Sequence, residues 1–283
     1  MLGLGYMAVA GAPTRYLGIN LGALVIGLMM LGLLRRVMVA GRQWGSRAII
    51  AMAAVLLATA LLGERAEGAA RWVNLAGLST QPSLILLPVM LVAFVRTSSV
   101  LSTMGVIVSA TALAIQPDRA MAGMLAAGLA VLMVMRPDKR AATAFVASIA
   151  GFVATLVRAD TLPAAPYVDQ ILFSAFESHM AAGAAVLSGS FLLLVPAIVG
   201  WRRDPVNRAT YAVFGAVWFA GIMAAALGNY PTPIVGYGGS AIIGYAMSLL
   251  ALPKPASGHG RESSRTIGEA NTPPDRHLLV ALA

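Results

Sequence analysis

Four short stretches of the chain hold most of the polar groups from which acid–base or anion-handling chemistry could be built. One carries Glu64, Glu67 and Arg71, and a second is Gln116-Pro117-Asp118-Arg119. A third spreads over Arg158, Asp160, Asp169, Glu177 and His179. The fourth, Asn229 to Ser240, is uncharged but rich in proline, glycine, tyrosine and hydroxyl groups. A carboxylate within hydrogen-bond reach of an acidifying hydroxyl serves as a general base. The planar guanidinium of arginine matches the oxygens of a phosphate. Other chemistries lack their parts. There is no cysteine, so thiolate metal sites and disulfides are excluded. His179, His259 and His277 are too far apart for a paired-histidine metal motif, and no metal site is expected.

These stretches are separated by long apolar runs. The 283 residues are 59% hydrophobic and 11% charged, with a mean hydropathy of +0.81. A soluble domain carries roughly a quarter charged residues, so this chain cannot cover a water-facing surface and belongs in a bilayer. Continuous apolar runs fall near 16–34, 47–62, 83–95, 99–115, 120–135, 141–157, 180–200, 209–227 and 238–252. They predict an all-α polytopic membrane protein of about nine transmembrane helices, since a β-barrel shows alternating segments of about ten residues instead. A perpendicular span takes about 20 residues. The run at 83–95 is the weakest and is expected to borrow neighbours or to start inside protein. Pro88 and Pro196 lie within spans and are expected to kink them.

The net charge of +9 fits the excess of basic residues in cytoplasmic loops better than a nucleic-acid partner. With loop 35–46 inside, alternation places Arg35, Arg36, Arg42, Arg47, Arg96, Arg136, Lys139, Arg140, Arg202, Arg203, Arg208, Lys254, Arg261, Arg265 and Arg276 on the cytoplasmic side. Only Arg15, Arg65, Arg71, Arg119 and Arg158 face the outside. The expectation is an outside N-terminus, a cytoplasmic C-terminus, and all four polar stretches on the outer side. Residues 1–12 are apolar but too short to span, and they lack the basic start of a secretory signal. Residues 1–252 form one membrane-embedded domain, and 253–283, rich in Pro, Gly, Ser and charge, is expected to be a disordered cytoplasmic tail. No ionisable residue sits mid-span, which disfavours an ion-coupled transporter.

Three of the polar stretches carry motifs. Arg71-Trp72-Val73-Asn74-Leu75 followed by Gln81-Pro82-Ser83 resembles R-W-I-x-L…Q-P-S-E of the SEDS family, the FtsW/RodA/SpoVE proteins of cell shape, elongation, division and sporulation. Gln116-Pro117-Asp118 resembles that family's Q-P-D-x-G-T, and Pro233 to Ala241 resembles P-F-[IV]-S-Y-G-G-S-S. All three occur in the family's order. A fainter match sets Tyr167-Val168-Asp169-Gln170-Ile171-Leu172-Phe173 beside H-T-D-F-I-F-A.

The resemblance implies a SEDS-like fold in the bacterial inner membrane. It implies a glycosyltransferase that polymerises lipid II-type lipid-linked disaccharides into glycan strands at the outer face, in cell wall synthesis linked to shape or division. It carries the family's catalytic aspartate onto Asp169. Arg71, Arg119 or Arg158 would stabilise the departing pyrophosphate, and Glu177, Tyr237 and Ser240 would line the substrate site. The implied partners are the lipid-linked glycan precursor, membrane lipid and a single-span penicillin-binding transpeptidase. A divalent cation could share the work on the pyrophosphate.

The match departs from the family in places. Leu84 and Leu87 stand where Q-P-S-E-x-x-K has an acid and a base. Removing both charges together is self-consistent, because removing one strands its partner. The outer loop of about 158–179 is also shorter than the family's, and the family has ten spans against nine here. The alternative is therefore a non-catalytic relative that binds a lipid-linked precursor or scaffolds a transpeptidase. A lipid transporter is a third reading.

Overall fold

Eight of the nine apolar runs each hold one helix, and the run 180–200 holds two. In the computed structural model the described residues are 2–34, 42–66, 69–75, 77–158, 163–233 and 239–253. The tail reading for 253–283 falls outside them beyond Pro253, and those up to Leu252 belong to one packed unit. An eight-residue helix α1 (Leu2–Val9) precedes the first long helix, α2 (Thr14–Leu34), which is followed by α3 (Arg42–Leu62). A small sheet comes next, then α4 (Pro82–Arg96), α5 (Val100–Ile115), α6 (Arg119–Met135) and α7 (Lys139–Leu156). The remainder is α8 (Ile171–Ser178), α9 (Met180–Leu192), α10 (Val195–Arg203), α11 (Arg208–Leu227) and α12 (Gly239–Ala251).

Five segments are long and apolar enough to cross a membrane: Thr14–Leu33, Gly45–Leu62, Lys139–Leu156, Met180–Arg203 and Pro205–Leu227. Four apolar helices, α4, α5, α6 and α12, are shorter. The shortness of α4 has a structural reason. Its 15 residues rise about 22 Å, and Leu87, Met90, Leu91, Val92 and Phe94 are fully buried. It is the central helix, packed against α3, α6, α11 and α12. Protein replaces lipid around it, so it need not match the hydrocarbon thickness. Leu84 and Leu87 are both buried in this core.

Pro196 does interrupt its span. Lacking an N–H it cannot continue the helical ladder, and the run 180–200 is split into α9 and α10 at Leu193–Leu194. The Leu193 carbonyl at this break accepts a hydrogen bond from the Tyr245 hydroxyl at 3.0 Å. Pro88, by contrast, sits inside an unbroken α4.

The all-helical expectation needs one addition. Between α3 and α4 lies a three-stranded antiparallel sheet, β1 (Glu64–Ala66), β2 (Ala69–Leu75) and β3 (Leu78–Thr80), in that order. Glu64 is opposite Trp72, and Val73 is opposite Thr80. The β2–β3 turn depends on Gly77, which adopts φ +82 and donates its N–H to Asn74 Oδ1 at 2.8 Å. The segment is thus polar backbone satisfied by its own ladder. Arg15 holds the hairpin tip from the start of α2 by donating to the Gly77 carbonyl at 3.0 Å.

Candidate active site

The loops that hold the four polar stretches converge on one cavity of about 530 Å³. The sheet contributes Glu64, Arg71 and Trp72, the turn before α6 contributes Asp118, and the loop before α8 contributes Val168 and Asp169. The loop after α11 adds Asn229, Tyr230 and Pro231.

The three motifs are bonded to one another. Gln81, which precedes α4, donates through Nε2 to Asp118 Oδ2 at 2.9 Å, and Ser83 Oγ donates to the same oxygen at 3.3 Å. The Gln81 backbone N–H donates to Ser240 Oγ at 3.0 Å. Arg71 reaches across to the main-chain carbonyls of Gln116, at 3.5 Å, and Pro117. Each stretch that resembled a separate signature is therefore one side of a single buried knot. Arg71, Gln81, Asp118 and Ser240 are 4%, 6%, 1% and 5% exposed.

Asp118 is the N-cap of α6, accepting the Met121 N–H on Oδ1 at 3.2 Å. Burial pushes its carboxyl above the usual range, while the Arg71 charge and the donors Met121, Gln81 and Ser83 pull it back. With three donors aimed at it, this carboxylate is occupied in holding the knot together.

Asp169 is placed differently. One oxygen, Oδ2, accepts the backbone N–H of Ala165 at 2.8 Å, and Oδ1 has no partner among the described residues. The side chain is half-buried at the cavity wall, and burial raises its carboxyl above the usual range, with the Ala165 bond lowering it. Its backbone is over-determined. Asp169 forms a bridge with Pro231, Thr232 donates to the Val168 carbonyl at 3.0 Å, and Gln170 Nε2 donates to Asn229 Oδ1 at 2.7 Å. Tyr167 and Gln170, either side of it, both adopt left-handed backbone at φ 60 and φ 56. Such positions cost on the order of 1 kcal/mol each and persist where the surroundings fix them, often at functional sites.

The other residues singled out in the sequence fall elsewhere. Arg119 donates to the carbonyls of Thr155 and Arg158, and Arg158 donates to that of Ile115 at 3.1 Å. These bonds tie off the last turns of α7 and α5, and neither arginine lines the cavity. Glu177 is exposed on α8, away from the cavity lining, and His179 caps α9 by accepting the Ala181 N–H at 3.2 Å. Tyr237 lies outside the described residues. Ser240 is brought to the site, but as the acceptor that fixes Gln81. Gln81, Ser83 and Asp118 were visible as motif letters, and their role becomes apparent only from their bonds to each other. Among the described residues the donor set does not fit a protein-held divalent ion. Asp118 is already engaged by three donors, and among the described residues no three carboxylate or histidine groups come together.

A bundle of apolar helices around a buried central helix, with a cavity of mixed polar and apolar lining, is a polytopic membrane protein of RodA-like, SEDS-type fold. It is similar in fold to the rod shape determining protein RodA of Thermus thermophilus, at a TM-score of 0.63 and 17% identity over 88% of this chain and 90% of that one. An aspartate-to-alanine mutant of the same RodA gives 0.61 and 18% over the same shares. The sequence matches no family model and no curated protein. The fold that the motif resemblance implies is thus the fold that the chain has.

Proposed function

We propose that the chain is a SEDS-type glycosyltransferase of the bacterial inner membrane. In this reading it polymerises a lipid-linked disaccharide at the outer face, with the N-terminus outside and the C-terminus inside. The observation that carries the proposal is Asp169: a half-buried carboxylate whose Oδ1 has no partner among the described residues, held in a strained, over-braced loop at the wall of a cavity that also contains Arg71.

The chemistry follows from those two groups. An acceptor hydroxyl attacks the anomeric carbon of the donor sugar, forming the new C–O bond. The bond from that carbon to the pyrophosphate oxygen breaks, and the pyrophosphate leaves with the electron pair. Asp169 Oδ1 takes the proton from the attacking hydroxyl. The positive charge of Arg71, held in place by the Gln116 and Pro117 carbonyls, favours the charge that builds on the leaving group. Asp118 keeps the Arg71 charge compensated when no substrate is bound. Arg119 and Arg158 have structural duties in this scheme.

One feature favours the non-catalytic reading, in which the chain binds a lipid-linked precursor or supports a transpeptidase. Leu84 and Leu87, where the family has an acid and a base, are buried and apolar. The two readings separate on turnover. Purified protein that binds lipid II and extends it is the enzyme. Protein that binds and never extends it, beside an active SEDS control, is the binding relative.

A further inference from the structure

Asp169 and Arg71 belong to two separate loops, and neither loop by itself fixes its distance from the other. From Ala165 to Asp169 the chain closes on itself. The Asp169 N–H donates to the Ala165 carbonyl at 3.0 Å, and the Ala165 N–H donates back to Asp169 Oδ2 at 2.8 Å. This ring sets the carboxylate within its own turn. Tyr167 lies inside the turn at φ 60, a left-handed backbone that a residue with a Cβ keeps only when it is held. Its ring meets that of Tyr16 edge-on, with centroids 6.3 Å apart and planes at 79°. Both tyrosines pack against the apolar cluster that includes buried Tyr6, Met7 and Ile171.

The preceding residue holds the other loop. Arg15 Nη2 donates to the Gly77 carbonyl at 3.0 Å, at the tip of the hairpin whose strand β2 carries Arg71. Arg15 and Tyr16 are consecutive in the first turn of α2, where successive side chains point about 100° apart around the helix. One turn of helix thus reaches two loops in two directions. That turn is itself anchored. Buried Asn20 donates through Nδ2 to the Tyr16 carbonyl at 2.9 Å. Helix α2 also packs along α12, whose Ser240 holds Gln81, and the two helices lie so close that a Cβ at Gly239 would fall 2.9 Å from that of Ala23.

We propose that Arg15 and Tyr16 are a positioning pair that sets the separation of the Asp169 turn from the hairpin bearing Arg71. This rests on the reading of Asp169 and Arg71 as the base and the leaving-group cation, and adds to it what spaces them. Neither Arg15 nor Tyr16 lines the cavity, so the pair acts through the two loops and not on the substrate. A base and a leaving-group charge act on two ends of one reacting centre, where a misplacement on the order of 1 Å costs about a hundredfold in rate. Losing either contact releases one loop from the other. Turnover then falls although every group that binds the substrate is still present.

The test measures the spacing directly. The chain has no cysteine, so Leu78→Cys and Ala164→Cys, at exposed positions beside Gly77 and Ala165, place two spin labels and no others. Electron–electron distance measurement on the full chain in nanodiscs should give one narrow distribution. Tyr16→Ala and Arg15→Ala should each broaden or displace it, and Tyr16→Phe, which keeps the ring, should leave it narrow. In polymerisation of a lipid II-type substrate by the unlabelled proteins, both alanine variants should lower kcat about tenfold or more at an unchanged Michaelis constant, with Tyr16→Phe near wild type. Arg15 is exposed, so Arg15→Ala covers the case in which Tyr16→Ala fails to fold. Distributions unchanged in the alanine variants that fold overturn the pair, and so does a Michaelis constant that rises while kcat holds. If the alanine variants broaden the distribution and wild type forms no strands, the spacing role stands and the glycosyltransferase reading fails.

Discussion

Gln81 Nε2 lies 2.9 Å from Asp118 Oδ2, and the backbone N–H of the same Gln81 lies 3.0 Å from Ser240 Oγ. One residue before α4 thereby joins the turn at the start of α6 to the start of α12. The three sequence motifs form one hydrogen-bonded unit under the cavity, and chain positions 37 and 159 residues apart depend on one another.

Asp118 is the most sensitive member of that unit. Replacing it with alanine leaves the buried Arg71 charge without its compensation, removes the acceptor for Gln81 and Ser83, and uncaps α6. Breaking a buried charge arrangement on one side costs about 3–5 kcal/mol. Asp118→Ala should show a large fall in melting temperature in detergent. Gln81→Leu removes a hydrogen bond to a charged group and should cost less, about 1.5–3 kcal/mol.

Asp169 should separate activity from stability. Its carboxyl is raised in the folded state, so the fold prefers the neutral side chain. The stability from that preference is present below the unfolded value, near about 3.9, and is lost as pH rises through the higher folded value. At neutral pH the charge is a burden, and Asp169→Asn should keep or raise the melting temperature. Loss of a general base costs about 10²–10⁴ in rate, so turnover should fall by that factor in the same preparation.

The pH profile follows from the same sign. A base must be deprotonated to work, and the Asp169 carboxyl titrates above the usual carboxylate value. The rate should rise with pH through a midpoint above about 3.9. A flat rate across that limb would show that another group takes the proton.

Arg119 and Arg158 offer a contrast. Their guanidinium groups cap carbonyls at the ends of α7 and α5. Alanine at either position should cost about 1–2 kcal/mol in thermal unfolding and leave the Michaelis constant for the lipid substrate unchanged. A raised Michaelis constant at unchanged stability would return these residues to the substrate site.

Gly244 sets the spacing that the knot requires. A Cβ there would fall 2.1 Å from the Leu84 carbonyl oxygen and 2.9 Å from the Ile85 Cα, which are backbone atoms that cannot swing aside. It lies one turn after Ser240 on α12, and Leu84 lies one turn into α4 after Gln81. Gly244→Ala should push the two helices apart, at about 1–3 kcal/mol for overpacking. Its drop in melting temperature should match or exceed that of Ser240→Ala.

The helices were legible because hydropathy reports burial in lipid or protein alike, and that signal is carried by each residue on its own. The brevity of the run at 83–95 was legible too, although its cause, a helix wholly enclosed by others, depends on the packing of α3, α6, α11 and α12. The sheet was not legible. Two of its strands have three residues each, too few to show alternation, and their pairing is fixed by a turn at Gly77. The site was half legible. Asp169 and Arg71 stand out by type and by resemblance, and they do reach one cavity. Arg119 and Arg158 have the same chemistry in sequence, but they lie beside helix ends whose last carbonyls need donors. Asp118 appeared in a motif, yet its partnership with Gln81 spans two helices and leaves no periodic trace.

The most direct test of the proposed activity is a polymerisation assay with labelled lipid II-type substrate and purified protein, with Asp169→Asn run in parallel. Wild type should convert the label into long strands that a muramidase degrades, and the Asp169→Asn protein should bind the lipid yet form no strands. Strands formed at the wild-type rate by Asp169→Asn, or none formed by wild type while a RodA control succeeds, would contradict it.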